Sequence, residues 1–166
     1  EIVCLTMFAF LGNYALNAQE DLSKGLFGNL SWHINGSSSL GTGVSVGSYY
    51  IDSVAPILGP GYSLLTESQL LIPMFKNSPW GIKLGEYAHV HFMLYGIGGR
   101  LDFIYYWLGN SQELHFSPGV AWSIGFLDIG YSYSWPLTKS SQISVKKHQF
   151  SIYSRLPIRK FNRIKK

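Results

Sequence analysis

The sequence predicts an all-β fold, a single up-and-down antiparallel transmembrane β-barrel of about eight strands. Three observations predict it. Charged residues make up 13% of the 166 positions, against 16% aromatic residues and 18 glycines, whereas an average soluble domain is roughly 25% charged. Apolar residues alternate with small or polar ones in repeated segments, with turn residues between them. No run of 18 or more apolar residues follows Gln19, so helical spans are not expected, and a closed barrel is the remaining way to satisfy backbone hydrogen bonds in a bilayer.

Taken in order, residues 2–11 (IVCLTMFAFL) form an apolar run, followed by Gly12 to Gln19 and then Glu20-Asp21. This reads as the hydrophobic and cleavage regions of a secretory signal peptide. The chain is therefore divided into a signal-peptide remnant at 1–19, an outer-membrane barrel at 20–158 and a basic tail at 159–166. The absence of an initiator Met and of a basic leader predicts that the natural N-terminus lies upstream. Cys4, the single cysteine, falls in the leader, so the mature protein is expected to have no disulfide. Six of the 13 basic residues (Arg155, Arg159, Lys160, Arg163, Lys165, Lys166) fall in the last 12 positions. With no nucleic-acid motif beside them they read as a solvated tail or one touching anionic phosphates.

Strands are predicted at 26–35, 40–51, 60–71, 79–88, 92–107, 111–122, 126–136 and 145–156. About ten residues each is the length that crosses a bilayer at a tilt. Parity assigns the faces. In 92–107, Met93, Tyr95, Ile97, Leu101, Phe103, Tyr105 and Trp107 oppose Gly96, Gly98, Arg100 and Asp102. In 126–136, Leu127, Ile129, Tyr131, Tyr133 and Trp135 oppose Asp128, Gly130, Ser132 and Ser134, and in 111–122 Leu114, Phe116, Val120 and Trp122 oppose Glu113, His115, Ser117 and Gly119. In 60–71 the run Thr66-Glu67-Ser68-Gln69 interrupts the alternation.

The polar face is Gly, Ser and Asn more than Lys and Glu, which suits a narrow lumen better than a soluble exterior. All five tryptophans lie on the apolar face. Four of them, Trp80, Trp107, Trp122 and Trp135, fall at strand ends and are expected to form membrane girdles, while Trp32 lies further from its strand end. With the N-terminus in the periplasm, the outer connections are 36–39, 72–78, 108–110 and 137–144. All are short, which argues against adhesion and receptor roles.

The predicted lumen holds Glu67, Lys83, Arg100, Asp102, Glu113, His115, Asp128 and Arg155. Eight strands leave room for side chains and little else, so these charges are expected to pair as an interior plug. An alternative is a narrow polar path for small ions. Glu113, His115 and Ser117 share one strand face, and a Ser beside a His beside a carboxylate is the arrangement of nucleophilic hydrolysis. Their spacing of roughly 6.5–7 Å along the strand demands favourable rotamers. His89 and His91 lack a third metal ligand and fall in a predicted solvated turn, and His33 and His148 are read as solvated single residues. Gly41-x-Gly43 and Gly96-x-Gly98-Gly99 open no helix and are assigned to close packing in the lumen.

At residues 96–106 (GIGGRLDFIYY), 118–137 (PGVAWSIGFLDIGYSYSWPL) and 147–156 (KHQFSIYSRL) the chain resembles small uncharacterised outer-membrane barrels of Bacteroidetes-type bacteria. Ile104-Tyr105-Tyr106, Pro118-Gly119, Tyr131-Ser132-Tyr133 and Pro136-Leu137 occupy the places of that group's strand motifs. The resemblance implies an eight-stranded barrel and brings no catalytic residue. One departure is the end, where residues 157–166 continue past the last predicted strand instead of stopping at an aromatic residue. The His-x-Ser pair is also similar to that of barrel lipid A deacylases, which follow the Ser with Asn where this chain has Pro118.

These readings predict a non-enzymatic outer-membrane protein of a Gram-negative bacterium, with a structural or porin-like small-solute role. The expected partners are outer-membrane lipid and the barrel assembly machinery. No cofactor, metal or nucleic acid is expected, and a monomer is favoured. Two alternatives are a lipid A or phospholipid hydrolase using His115 and Ser117, and a soluble lipocalin-like binder whose aromatic face lines a pocket.

Overall fold

The computed structural model describes residues 23–51, 60–92, 95–124, 127–138 and 143–161, and all regular structure among them is strand. The predicted leader with Cys4, residues 139–142 and the end of the basic tail lie outside the described residues. The elements are β1 (Ser23–Ile34), β2 (Ser38–Ile51), β3 (Pro60–Pro73), β4 (Trp80–Phe92), β5 (Tyr95–Leu108), β6 (Ser111–Ile124), β7 (Leu127–Tyr133), β8 (Trp135–Pro136) and β9 (His148–Phe161). β7 and β8 both pair with β6 and form one wall strand interrupted at Ser134. Every neighbouring pair is antiparallel, and pairing of β5 with β6 and of β1 with β9 closes the sheet. The result is an eight-stranded up-and-down barrel.

The register fixes its width. Cross-strand partners lead from Glu113 through Tyr106, Gly81, Leu71, Gly41, Ser31, Tyr153 and Asp128 to Ser123, ten residues along β6 from the start. With ordinary strand spacings this stagger gives a tilt of about 40° and a backbone radius of about 8 Å. Such a lumen is filled by side chains.

The alternation read from the sequence is the alternation of the two faces. Outward are Leu30, Trp32, Val44, Leu64, Leu84, Ile97, Phe103, Trp122, Ile129, Trp135, Ile152 and Leu156, all exposed. Inward are Asn29, Ser31, His33, Ser45, Gln69, Ser117, Ser132, Gln149 and Ser151 with the charged residues, all buried but for the partly buried Arg155. Apolar side chains therefore coat the outside and polar ones fill the inside. Two turns depend on left-handed glycines: Gly36 at φ 90° between β1 and β2, and Gly109 at φ 56° in the two-residue Gly109-Asn110 hairpin.

Several boundaries differ from expectation. β4 continues to Phe92, so His89 and His91 lie in a strand, not in a solvated turn; the alternation simply persists through Tyr87-Ala88-His89-Val90. β3 keeps its alternation through the polar run, with Glu67 and Gln69 inward and Thr66 and Ser68 outward. The last strand begins at His148 and runs to Phe161, past the expected ends at 156 and 158. A register shift lets it pass Pro157, with Phe27 opposite Pro157 and Leu26 opposite Arg159. Such a bulge accommodates a residue that cannot donate to the ladder, and the strand ends on an aromatic residue after all.

Candidate functional site in the barrel lumen

The centre of the lumen is built around Glu67, which the alternation of β3 points inward. Its carboxylate accepts from Lys83 Nζ at 2.5 Å, Arg155 Nη2 at 3.2 Å and Arg100 Nη2 at 3.4 Å. Arg100 also forks onto Asp102, with Nε 2.7 Å from Oδ2 and Nη2 3.1 Å from Oδ1. Arg155 donates its Nη1 to Asp128, which also accepts from the hydroxyls of Ser123 and, at 3.3 Å, Tyr87. Lys83 is 0% exposed and Glu67 2%. Charges so enclosed are tolerable only because each meets an opposite one.

Two tyrosines complete this knot. The Tyr153 ring lies 4.2 Å from the Arg100 guanidinium and 4.6 Å from Lys83 Nζ, and the Tyr87 ring 4.1 Å from the Arg155 guanidinium. Contacts cross the full width of the barrel. Lys83 on β4 reaches the Tyr153 hydroxyl on β9 at 3.5 Å, and Asn35 after β1 donates to the Tyr106 hydroxyl on β5 at 3.0 Å. In each case four strand steps separate the partners.

Nearer the β5–β6 turn, Glu113 Oε2 and His115 Nε2 lie 2.8 Å apart. Ser117 does not join them. It is fully buried, and its hydroxyl has no hydrogen-bond partner among the described residues. The serine on His115 is instead Ser134, whose Oγ lies 2.8 Å from Nδ1. The register accounts for it: His115 and Pro136 are cross-strand partners, which sets Ser134 beside one imidazole nitrogen, and the other is taken by Glu113. Parity already placed Ser134 inward; the register that brings it to His115 is a tertiary property.

His33 is a lumen residue, not a solvated one. Its Nε2 lies 2.8 Å from the Ser31 hydroxyl, which donates to Gln69 Oε1 at 2.8 Å, and its ring packs edge-on against Tyr153. His89 also points inward and stacks on Tyr87, whereas the His91 side chain is outside the described residues. His148 faces outward, with Nδ1 2.6 Å from the Tyr131 hydroxyl. Among the described residues no grouping of three or more His, Cys, Asp or Glu could hold a metal ion. Gly41 faces this packed interior, where a Cβ would come within 2.2 Å of Ser31 Oγ and 2.8 Å of Gln69 Oε1.

An apolar cap covers the network at the end bearing the β8–β9 connection. Ile143 of that connection is buried against Leu71, Ile104 and Tyr106, with Val145 and Leu108 beside it. Outside the barrel at the same end, Trp80 stacks on Trp107 and Trp135 on Phe116, with Tyr105 and Tyr133 alongside. Trp122 lies towards the opposite end, two residues before the end of β6. No family model, no curated protein and no solved structure matches the chain.

Proposed function

We propose that the protein is an outer-membrane barrel whose lumen is closed by its own side chains and whose role is structural, not enzymatic. The observation that carries this reading is the inversion of the two faces. A soluble binding barrel keeps its apolar residues inside, around a ligand; here large apolar side chains on every wall strand point outward, and Glu67, Lys83, Arg100, Asp102, Glu113 and Asp128 are buried inside. A continuous apolar surface of this kind is compatible with hydrocarbon and not with water. The aromatic residues clustered on the outside at one end match an interfacial girdle.

The closed lumen argues against a porin-like path, since Lys83–Tyr153 and Asn35–Tyr106 bridge its full width at two levels. The hydrolase alternative now requires Ser134, because Ser134, His115 and Glu113 form the hydrogen-bonded chain. All three are buried and face the lumen beneath Ile143, away from the lipid that such an enzyme cleaves. The test is expression of the chain with its leader, followed by membrane fractionation and comparison of boiled with unboiled samples on a gel. A heat-modifiable band in the outer-membrane fraction, no steady conductance in planar bilayers and unaltered lipid A are the expected results. A soluble chain without a gel shift overturns the location. Conductance that disappears on changing Arg100 or Asp102 overturns the closed lumen, and shortened lipid A that depends on Ser134 overturns the structural role.

A further inference from the structure

At the end that bears the β8–β9 connection, the outer wall runs into a cleft of about 430 Å³. It opens between the β1–β2 turn, the β3–β4 turn and Ser144 of that connection. Backbone hydrogen bonds pin these segments together: Lys146 N donates to the Asn35 carbonyl at 2.7 Å, Met74 N to the Ser38 carbonyl at 2.9 Å and Ser78 N to the Phe75 carbonyl at 3.0 Å. The buried Ile143 anchors the connection beside them. The lining is of two kinds. Ile34 and Phe75 are exposed and apolar, and Ile34 continues the outward face of β1 beyond Trp32, with Leu40 and Ile72 alongside on β2 and β3. The remainder is hydroxyl and amide, from Ser38, Ser78, Ser144 and Asn77, while the Ser37 hydroxyl is turned to Asn35 Oδ1 at 2.9 Å.

Two cations stand at the rim. Lys76 lies in the β3–β4 turn between Phe75 and Asn77, and the stem of Lys146 lies across Gly36, where a Cβ would come within 2.7 Å of its Cγ and 3.2 Å of its Cε. Gly36, at φ 90°, thus serves both the turn and the passage of the lysine. Among the described residues no carboxylate lines the cleft. We propose that it takes the phosphate headgroup of an anionic membrane lipid whose acyl chains lie along Trp32, Leu40 and Ile72, an inference that rests on the membrane reading above. Ammonium groups beside hydroxyl and amide donors match phosphate oxygens, whereas a headgroup that ends in a cation meets only like charge. The continuity of the lining favours a lipid over free phosphate. Ile34 and Phe75 join the polar cleft to the apolar wall, so one molecule with a charged head and apolar tails meets both surfaces.

The test reconstitutes the full chain in phosphatidylcholine vesicles, with spin-labelled phosphatidic acid and spin-labelled phosphatidylcholine as probes. The fraction of each probe immobilised at the barrel is read from its spectrum. The expected result is a preference for phosphatidic acid that Lys146→Gln lowers about fivefold, the effect of one basic residue near an anionic lipid. Lys76→Gln added to Lys146→Gln is expected to remove it. Lys24→Gln with Arg159→Gln takes the same charge from the opposite end of the barrel, where β1 begins and β9 ends, and is expected to leave the preference in place. Inorganic phosphate, matched in ionic strength by chloride, is expected to leave it too; a preference that phosphate alone abolishes overturns the lipid as occupant. A preference that survives loss of Lys76 and Lys146, or that falls equally with Lys24 and Arg159, overturns the cleft. Each sample is also run boiled and unboiled. A heat-modifiable, vesicle-bound barrel with no preference overturns the cleft while leaving the membrane reading intact, and a chain that does not stay with the vesicles overturns both.

Discussion

A carboxylate taken out of water is stable only with close partners, and the surroundings of Glu67 show how this lumen supplies them. Lys83, Arg100 and Arg155 approach it from three different strands, β4, β5 and β9, so one side chain ties together distant parts of the wall. Glu67→Gln keeps the volume and removes the charge, leaving three cations to share Asp102 and Asp128. Breaking a buried pair in this way costs about 3–5 kcal/mol. The expected outcome is an unfolding midpoint in urea, measured by loss of the heat-modifiable band, well below that of the parent. An unchanged midpoint contradicts the network. The reverse design, Ile129→Val on the outer face, touches no lumen contact and is expected to leave that midpoint close to the parent value.

The lumen residues are legible in the sequence because alternation needs only parity. Glu67, Arg100, Asp102, Asp128 and Arg155 needed no tertiary information to be placed inside. Ser134 could be placed inside but not beside His115, since that pairing depends on how β8 registers against β6. Tyr153 was equally open to parity, two residues before Arg155 on the same face. Its role was hidden because its partners Lys83 and Arg100 come from across the barrel.

At the scale of elements, closure depends on β9, whose final residues pair with the first of β1: Phe161 with Lys24, Lys160 with Gly25 and Arg159 with Leu26. The sequence reading ends this strand at 156, just before Pro157, a residue that cannot donate to a ladder. The bulge opposite Leu26 and Phe27 removes that objection, and the ladder resumes beyond it. A chain stopped after Leu156 therefore leaves the start of β1 as an open edge with unpaired backbone groups, which the proposed bilayer setting would not tolerate. Such a chain is expected to show no gel shift, whereas one stopped after Phe161 keeps it. Equal behaviour of the two truncations contradicts the assigned closure. The β4–β5 boundary also differs: 89–91 fall between the predicted strands 79–88 and 92–107 and so read as a solvated turn, whereas the strand continues and the His89 ring packs in the polar lumen.

At the scale of the whole molecule, one sheet closed on itself with a stagger of ten residues gives an interior that charges and tyrosines fill and an exterior dominated by large apolar side chains. The fold class followed from the low charge content, the alternation and the lack of long apolar runs, since each reports on the solvent at the two faces. The most direct test of the inverted faces uses the five tryptophans, which all lie on the outside wall. The protein is reconstituted into vesicles whose acyl chains carry bromine, and its fluorescence is compared with that in unbrominated vesicles and in aqueous iodide. Strong quenching by brominated chains and little by iodide is the predicted result. Quenching by iodide alone, with no response to brominated lipid, would contradict the account and put the apolar wall somewhere other than in the membrane.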